Sequence, residues 1–233
     1  MDNQKPDKYE IIPHQHFRDL SREQKIQHVL DYYLLHIIGA AVLLIAIVSV
    51  VIYFTFQYRR TQLYAMCVDV STEQTQQLTG DYAAYAAMNT RKYAVVWDDA
   101  DYRLGGQDEY NVMTKIMTLI GAEAADILLY SDADADTFLT MEAAADLKRV
   151  LPDALYAQAE SDGLVQMGLP PADVEAGAKS IAPYAFALDI TDTAFAARYG
   201  LQPLRGERLY LSVTINSKRM DEAVRFVAFI LGA

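Results

Sequence analysis

Cysteine occurs once, at Cys67, so the chain forms no intrachain disulfide and no cysteine-rich zinc site. A disulfide-free exported domain is ordinary in bacteria and less usual among secreted eukaryotic domains. Histidine is missing from most of the chain. All four (His14, His16, His28 and His36) fall within the first 36 residues. The remainder therefore holds no Ser-His-Asp or Cys-His set and lacks the commonest acid–base group. No G-x-x-x-x-G-K-[ST] loop occurs, and Gly105-Gly106 does not make a phosphate loop. Carboxylates are too numerous for spacing alone to select a glycosidase pair. The expectation is a non-enzymatic protein with no cofactor and no metal.

What the chain does have is a run of 20 residues, Ile37 to Phe56, without a single charge. At about 1.5 Å per residue a helix of that length crosses roughly 30 Å, the hydrocarbon thickness of a bilayer. The uncharged stretch extends from Tyr32 to Tyr58, between Asp31 and Arg59-Arg60. Tyr32 and Tyr33 lie at one end, and Tyr53, Phe54, Phe56 and Tyr58 at the other, as in aromatic belts at the headgroup level. The pattern predicts a transmembrane helix over 37–56. The run is too long for the apolar region of a secretory signal and begins too far in, so an uncleaved signal anchor is expected. Five Lys/Arg precede the span and two follow it directly. A short polar N-terminus favours a cytoplasmic N-terminus and an extracytoplasmic C-terminal domain in the cell membrane.

Before the span, residues 1–20 are polar, with Pro6 and Pro13, and are expected to be disordered. His14 and His16 in such a tail are read as incidental rather than as metal ligands. Ser21-Arg-Glu-Gln24 has the form of a capping box. Ile26, Leu30, Tyr33 and Ile37 follow at helical spacing. A juxtamembrane helix over 21–36 running into the span is predicted.

Charge divides the chain. Residues 61–233 carry 25 Asp/Glu against 13 Lys/Arg, a balance of −12, whereas residues 1–60 carry 6 against 7. An acidic domain argues against nucleic acid and against anionic lipid headgroups as partners. The expected partners are the bilayer, through the one helix, and a small molecule or an envelope protein. At 173 residues the segment 61–233 is long enough for one good core.

Within it, strands and helices alternate, which predicts an α/β domain. Strands are expected at Leu63–Val70, Lys92–Trp97, Ala125–Tyr130, Tyr184–Ile190 and Glu207–Ile215. Helices are expected at Thr72–Met88 (interrupted or capped near Gly80), Gln107–Ile120, Thr137–Leu151, Asp192–Tyr199 and Met220–Leu231. Asp98 to Gly106 reads as an acidic loop, and 153–182 as irregular, with at most a helical turn at Asp173–Ala178. Asp132, Asp134 and Asp136 alternate as in a calcium loop. Thr137 and Ala143 stand where that loop wants Gly and Glu, so a strand-to-helix turn with Asp136 as N-cap is preferred. Asp98, Asp99 and Asp101 read as a solvated cluster. Tyrosine is abundant, at 16 residues. Tyr130, Asp132, Tyr184 and Tyr210 fall at or beside predicted strands and are the candidate ligand-binding residues; core packing is the alternative for the tyrosines.

Several segments carry a resemblance. Ala124-Ala-Asp-Ile-Leu-Leu129, Phe138 through Leu151-Pro152, Pro183-Tyr-Ala-Phe-Ala-Leu188 and Asn216-Ser-Lys-Arg219 with Ala223 to Leu231 resemble, in order, segments of extracellular solute-binding proteins. The stretch from Ser21 through Tyr33 and His36 into the span resembles a group of uncharacterised bacterial single-pass membrane proteins. The resemblance implies a single transmembrane helix followed by a shortened periplasmic-binding-protein-like domain of the type II class over 61–233. It implies a sensor or accessory role, binding a small molecule or an envelope protein. A structural role, with the fold kept and no ligand, is the alternative.

Overall fold

The computed structural model describes residues 21–54, 59–104, 106, 108–169 and 182–233. The expectations for residues 1–20, with His14 and His16, and for Asp173–Ala178 lie outside these residues. Two units are distinguished, residues 1–58 and 59–233.

The first unit contains one long helix, α1 (Arg22–Ile52), which widens to a π turn at Tyr53 and Phe54. The N–H of Lys25 donates to the Ser21 carbonyl at 2.9 Å, closing the first turn. Tyr33–Ile52 is long and apolar enough to cross a membrane. None of that stretch is buried within the protein. Leu35 is 81% exposed and Ile45 65%. Each large apolar side chain left in water forfeits about 1.5–3 kcal/mol relative to burial.

The second unit is a mixed α/β fold on a six-stranded sheet. Its elements are β1 (Arg60–Val68), β2 (Val70–Thr72), α2 (Thr75–Tyr85), β3 (Tyr93–Tyr102), α3 (Glu109–Gly121) and β4 (Ile127–Ser131). A 3-10 turn at Asp132–Asp134 leads into α4 (Ala135–Thr140). Then follow α5 (Leu147–Val150), α6 (Asp153–Ser161), β5 (Val165–Gly168), β6 (Tyr184–Asp189), α7 (Ala194–Tyr199), β7 (Leu201–Pro203), β8 (Leu209–Val213) and α8 (Met220–Leu231). The sheet order is β3-β1-β4-β8-β6-β5, and β2 pairs with β7 in a separate ribbon. β1 is parallel to both β3 and β4, while the β4-β8, β8-β6 and β6-β5 pairs are antiparallel.

Each face of the sheet carries its own core. Leu63, Ala65 and Cys67 of β1 pack with Leu78 and Tyr82 of α2, Leu155 of α6, Phe195 of α7 and Phe226 of α8. The alternate residues Met66 and Val68 pack on the other side with Ile116 of α3 and Phe138 of α4. Burial on both faces explains why β1 reads as a nearly continuous apolar run. In α8, Ala223, Phe226, Val227 and Ile230 are buried at 3, 1 and 3 spacing, one helical stripe. Phe226 meets the Tyr82 ring edge-on at 5.0 Å.

Four expectations are corrected. α2 runs through Gly80 without interruption, and nothing crowds that position. β3 continues to Tyr102, so Asp98–Tyr102 is strand rather than loop. The Asp98 carboxylate accepts from the Tyr64 hydroxyl and from the Tyr102 hydroxyl, the latter at 2.7 Å, and this supplies the partner that an apolar residue would find in packing. Third, the helix expected over Thr137–Leu151 is two helices. Between them Ala144 bridges to Thr214, the Ala145 N–H donates to Val213, and Glu142 has φ 49°. Backbone pairing with the end of β8 overrides the helix propensity of Glu-Ala-Ala-Ala. Fourth, the stretch read as irregular from residue 153 onward contains α6 and β5.

Candidate functional site

Strand order alone marks a place. β1 lies between β3 and β4; α2, which joins β1 to β3, packs on one face, and α3, which joins β3 to β4, on the other. The chain thus leaves the ends of β1 and β3 toward opposite faces. In open α/β sheets ligands bind outside the carboxyl ends of strands at such a switch point.

At that end of β1 stands Asp69, with φ 51° and a side chain 1% exposed. Its N–H donates to the Tyr102 carbonyl at 2.8 Å, and its own carbonyl accepts from Leu204 N–H at 2.7 Å. Its carboxylate accepts from the Leu104 N–H at 2.9 Å and lies 3.0 Å from Arg205 Nε. That N–H is poorly aligned for a hydrogen bond, so the contact is mainly coulombic. Arg205 also bonds the carboxylate of Asp134, which follows β4 and accepts from Ser131 Oγ at 2.8 Å. One guanidinium therefore spans the gap between the ends of β1 and β4. Burial pushes the Asp134 carboxyl above its ordinary value, against the pull of Ser131 and Arg205.

Beside this triad a crevice of about 250 Å³ opens at the ends of β1 and β3. It is lined by Cys67, Asp69, Val70, Ser71, Thr72, Asp99, Tyr102, Arg103 and Leu204. Thr72 Oγ1 accepts from Trp97 Nε1 at 3.1 Å, and Asp99 from Thr75 Oγ1 at 3.2 Å. Burial raises the Tyr102 hydroxyl far above its usual value, aided by the Asp98 carboxylate. Burial likewise pushes the Cys67 thiol up, so it stays protonated and is a poor nucleophile. A second cavity, of about 570 Å³, is lined by residues that include Glu142, Asp146, Arg149, Tyr184, Ile215 and Met220.

Of the four residues singled out in the sequence, Tyr184 lines the larger cavity; Tyr130, Asp132 and Tyr210 line neither of the two. Tyr130 is fully buried, its ring tilted 43° to that of Phe138 with centroids 4.5 Å apart, and its hydroxyl lies 2.7 Å from Ser212 Oγ. Tyr210 meets the Tyr130 ring edge-on at 6.1 Å. Asp132 Oδ1 accepts the N–H groups of Glu207 and Arg208 at 3.0 and 3.1 Å. It thereby pins the turn before β8, where Gly206 has φ 69°. The expected N-cap role of Asp136 is not seen: α4 begins at Ala135, before Asp136, and no side chain caps it. Among the described residues no group of three or more His, Cys, Asp or Glu is placed to hold a metal.

Asp69 and Arg205 were not singled out from sequence. Asp69 carried a signal, an acid at the end of an apolar strand. Arg205 carried none, since only the fold brings the loop after β7 to that place.

The chain matches no protein-family model, no curated protein and no solved structure closely enough to assign it to a family.

Proposed function

We propose that this is a single-pass protein of the cell membrane whose C-terminal α/β domain lies outside the cytoplasm and binds a small polar solute in the crevice at the ends of β1 and β3. The observation that carries the reading is this crevice, at the carboxyl ends of parallel strands in an open sheet and next to the switch point between β1 and β4. Its volume of about 250 Å³ falls just below the roughly 300–1,000 Å³ usual for drug-sized ligands, so the solute is small. Its hydroxyls and the exposed Asp99 carboxylate, with Arg103 also in the wall, favour a small polar solute such as an amine or a polyol. With no histidine beyond His36 and a protonated Cys67, binding rather than catalysis is the fitting role. The resemblance of several segments to extracellular solute-binding proteins is consistent with a sensor or accessory role.

A thermal-shift screen of the full chain in detergent tests this. A solute at 100 times its Kd adds about 2.7 kcal/mol by mass action. For a chain of this length that raises the midpoint by roughly 5–10 °C. Ser71→Leu, which fills the crevice, should abolish the shift. An undiminished shift in that variant would place the solute elsewhere, and no shift across amines and polyols would sink the small-solute reading.

A second reading has its own observation. Arg205 ties Asp69 to Asp134 across the gap between β1 and β4, closing that part of the switch point. A closed gap suits a domain that acts as an assembly surface for an envelope protein. Co-purification of a stable partner from detergent extracts, with no solute response, would favour it.

A further inference from the structure

The acidity of the domain is not shared by the end of the sheet at which the chain enters it. Arg60 opens β1 opposite Tyr93, and its N–H donates to the Lys92 carbonyl at 2.8 Å. That register gathers Arg59, Arg60, Arg91 and Lys92 at the amino ends of β1 and β3. All four are exposed. Among the described residues, none of them meets a carboxylate within 4 Å. Other cations near the amino end of β4 are committed: Lys218 pairs with Glu123 at 3.0 Å and Arg219 with Asp126 at 2.8 Å.

Beside the four cations a groove of about 330 Å³ runs between β3 and α2. Its lining includes Arg59, Gln76, Thr79, Met88, Thr90 and Tyr93, and no carboxylate. Such a groove offers a charge and hydroxyls to a phosphodiester and an apolar wall to a glycerol backbone. β1 has nine residues, so the acids at its far end lie about 30 Å away. That is roughly four Debye lengths at physiological salt. The acids nearer the edge, Glu222 beside Gln62 and Asp126 beside Tyr64, are paired with Arg225 and Arg219. Five residues lie between Phe54 and Arg60, a reach of at most about 20 Å. A tether that short would raise the domain's effective concentration at any bilayer that holds α1.

We propose that this basic edge and its groove bind the headgroups of anionic phospholipids in the membrane that anchors the chain. The inference rests on the reading of α1 as a membrane span. It revises, for one edge, the expectation drawn from overall acidity that anionic lipid is no partner.

Hydrogen exchange on the full chain in lipid nanodiscs tests it. Discs of phosphatidylcholine alone are compared with discs that also contain phosphatidylglycerol. Amides of residues 88–95 should exchange several-fold more slowly with phosphatidylglycerol present, and those of residues 201–209 should not change. The slowing should vanish at 1 M salt and in a variant combining R59Q, R60Q, R91Q and K92Q. Equal exchange in both discs, or slowing that persists in that variant, overturns the proposal. Equal slowing by inorganic phosphate added to phosphatidylcholine discs assigns the groove to a free anion and also overturns it. A chain that fails to enter discs at all overturns the span itself, a result distinct from the others.

Discussion

Asp126 shows how one side chain joins distant segments. Its side chain is fully buried, and it accepts from the Tyr64 N–H at 2.7 Å, Ser217 Oγ at 2.6 Å and Arg219 Nε at 2.8 Å. Arg219 also reaches the Ala124 carbonyl, and Thr214 Oγ1 donates to that of Ala125 at 2.6 Å. Two segments singled out in the sequence, Ala124–Leu129 and Asn216–Arg219, are thus tied to each other through an ion pair whose carboxylate is fully buried and whose guanidinium is partly exposed. Removing one partner leaves the other charge uncompensated, which typically costs about 3–5 kcal/mol. Asp126→Ala should lower the unfolding free energy in urea by that amount. A loss below about 1 kcal/mol would mean that water replaces the carboxylate. Asp134 yields a pH prediction. Its carboxyl is raised in the folded state above the ordinary 3.8, so the folded protein binds a proton more readily than the unfolded chain. The resulting stability is present below pH 3.8 and is lost as pH rises through the folded value. Relative to Asp134→Asn, the native protein should therefore gain stability as pH falls from 7 toward 4. A relative loss over that range would reverse the sign of the shift.

Elements built on one clear period were legible in the sequence. α8 runs from Met220 to Leu231, as its apolar stripe dictates, and Gly232 ends it with φ 69°. α7 starts behind Thr193, whose Oγ accepts the Ala196 N–H at 3.2 Å, and stops at Gly200 with φ 62°. Elements fixed by distant partners were not legible. The far half of β3 is bonded to Tyr64, 34 residues away, and the extended Ala144 pairs with Thr214. β5 is another such case: it pairs with β6 across a long connection, and its Gly168 serves close packing rather than a turn. A Cβ there would lie 2.6 Å from Leu139 Cδ2 and 2.8 Å from Phe186 Cδ1. Both neighbours are buried core residues, so Gly168→Ala should destabilise by about 1–3 kcal/mol through overpacking. An unchanged thermal midpoint would mean that β5 moves freely at this edge. The candidate site was the least legible part. Its crevice arises where β1, β3 and the loop after β7 converge, and no local pattern records that meeting.

At the scale of the molecule, the two units are built on opposite rules. Residues 59–233 bury a core on each face of the sheet, whereas Tyr33–Ile52 buries nothing. A helix of that length and composition is able to cross a bilayer, where its backbone groups would already be paired. The proposals of a membrane-tethered domain and of a lipid-facing edge stand on that helix being in a bilayer. The direct test is extraction of membranes containing the full chain with alkaline carbonate. The protein should remain in the membrane pellet, and it should move to the supernatant when Leu44 and Val48 are both replaced by Arg, a change of about 5–7 kcal/mol at the helix centre on insertion scales. Release of the unaltered chain into the supernatant would contradict the account.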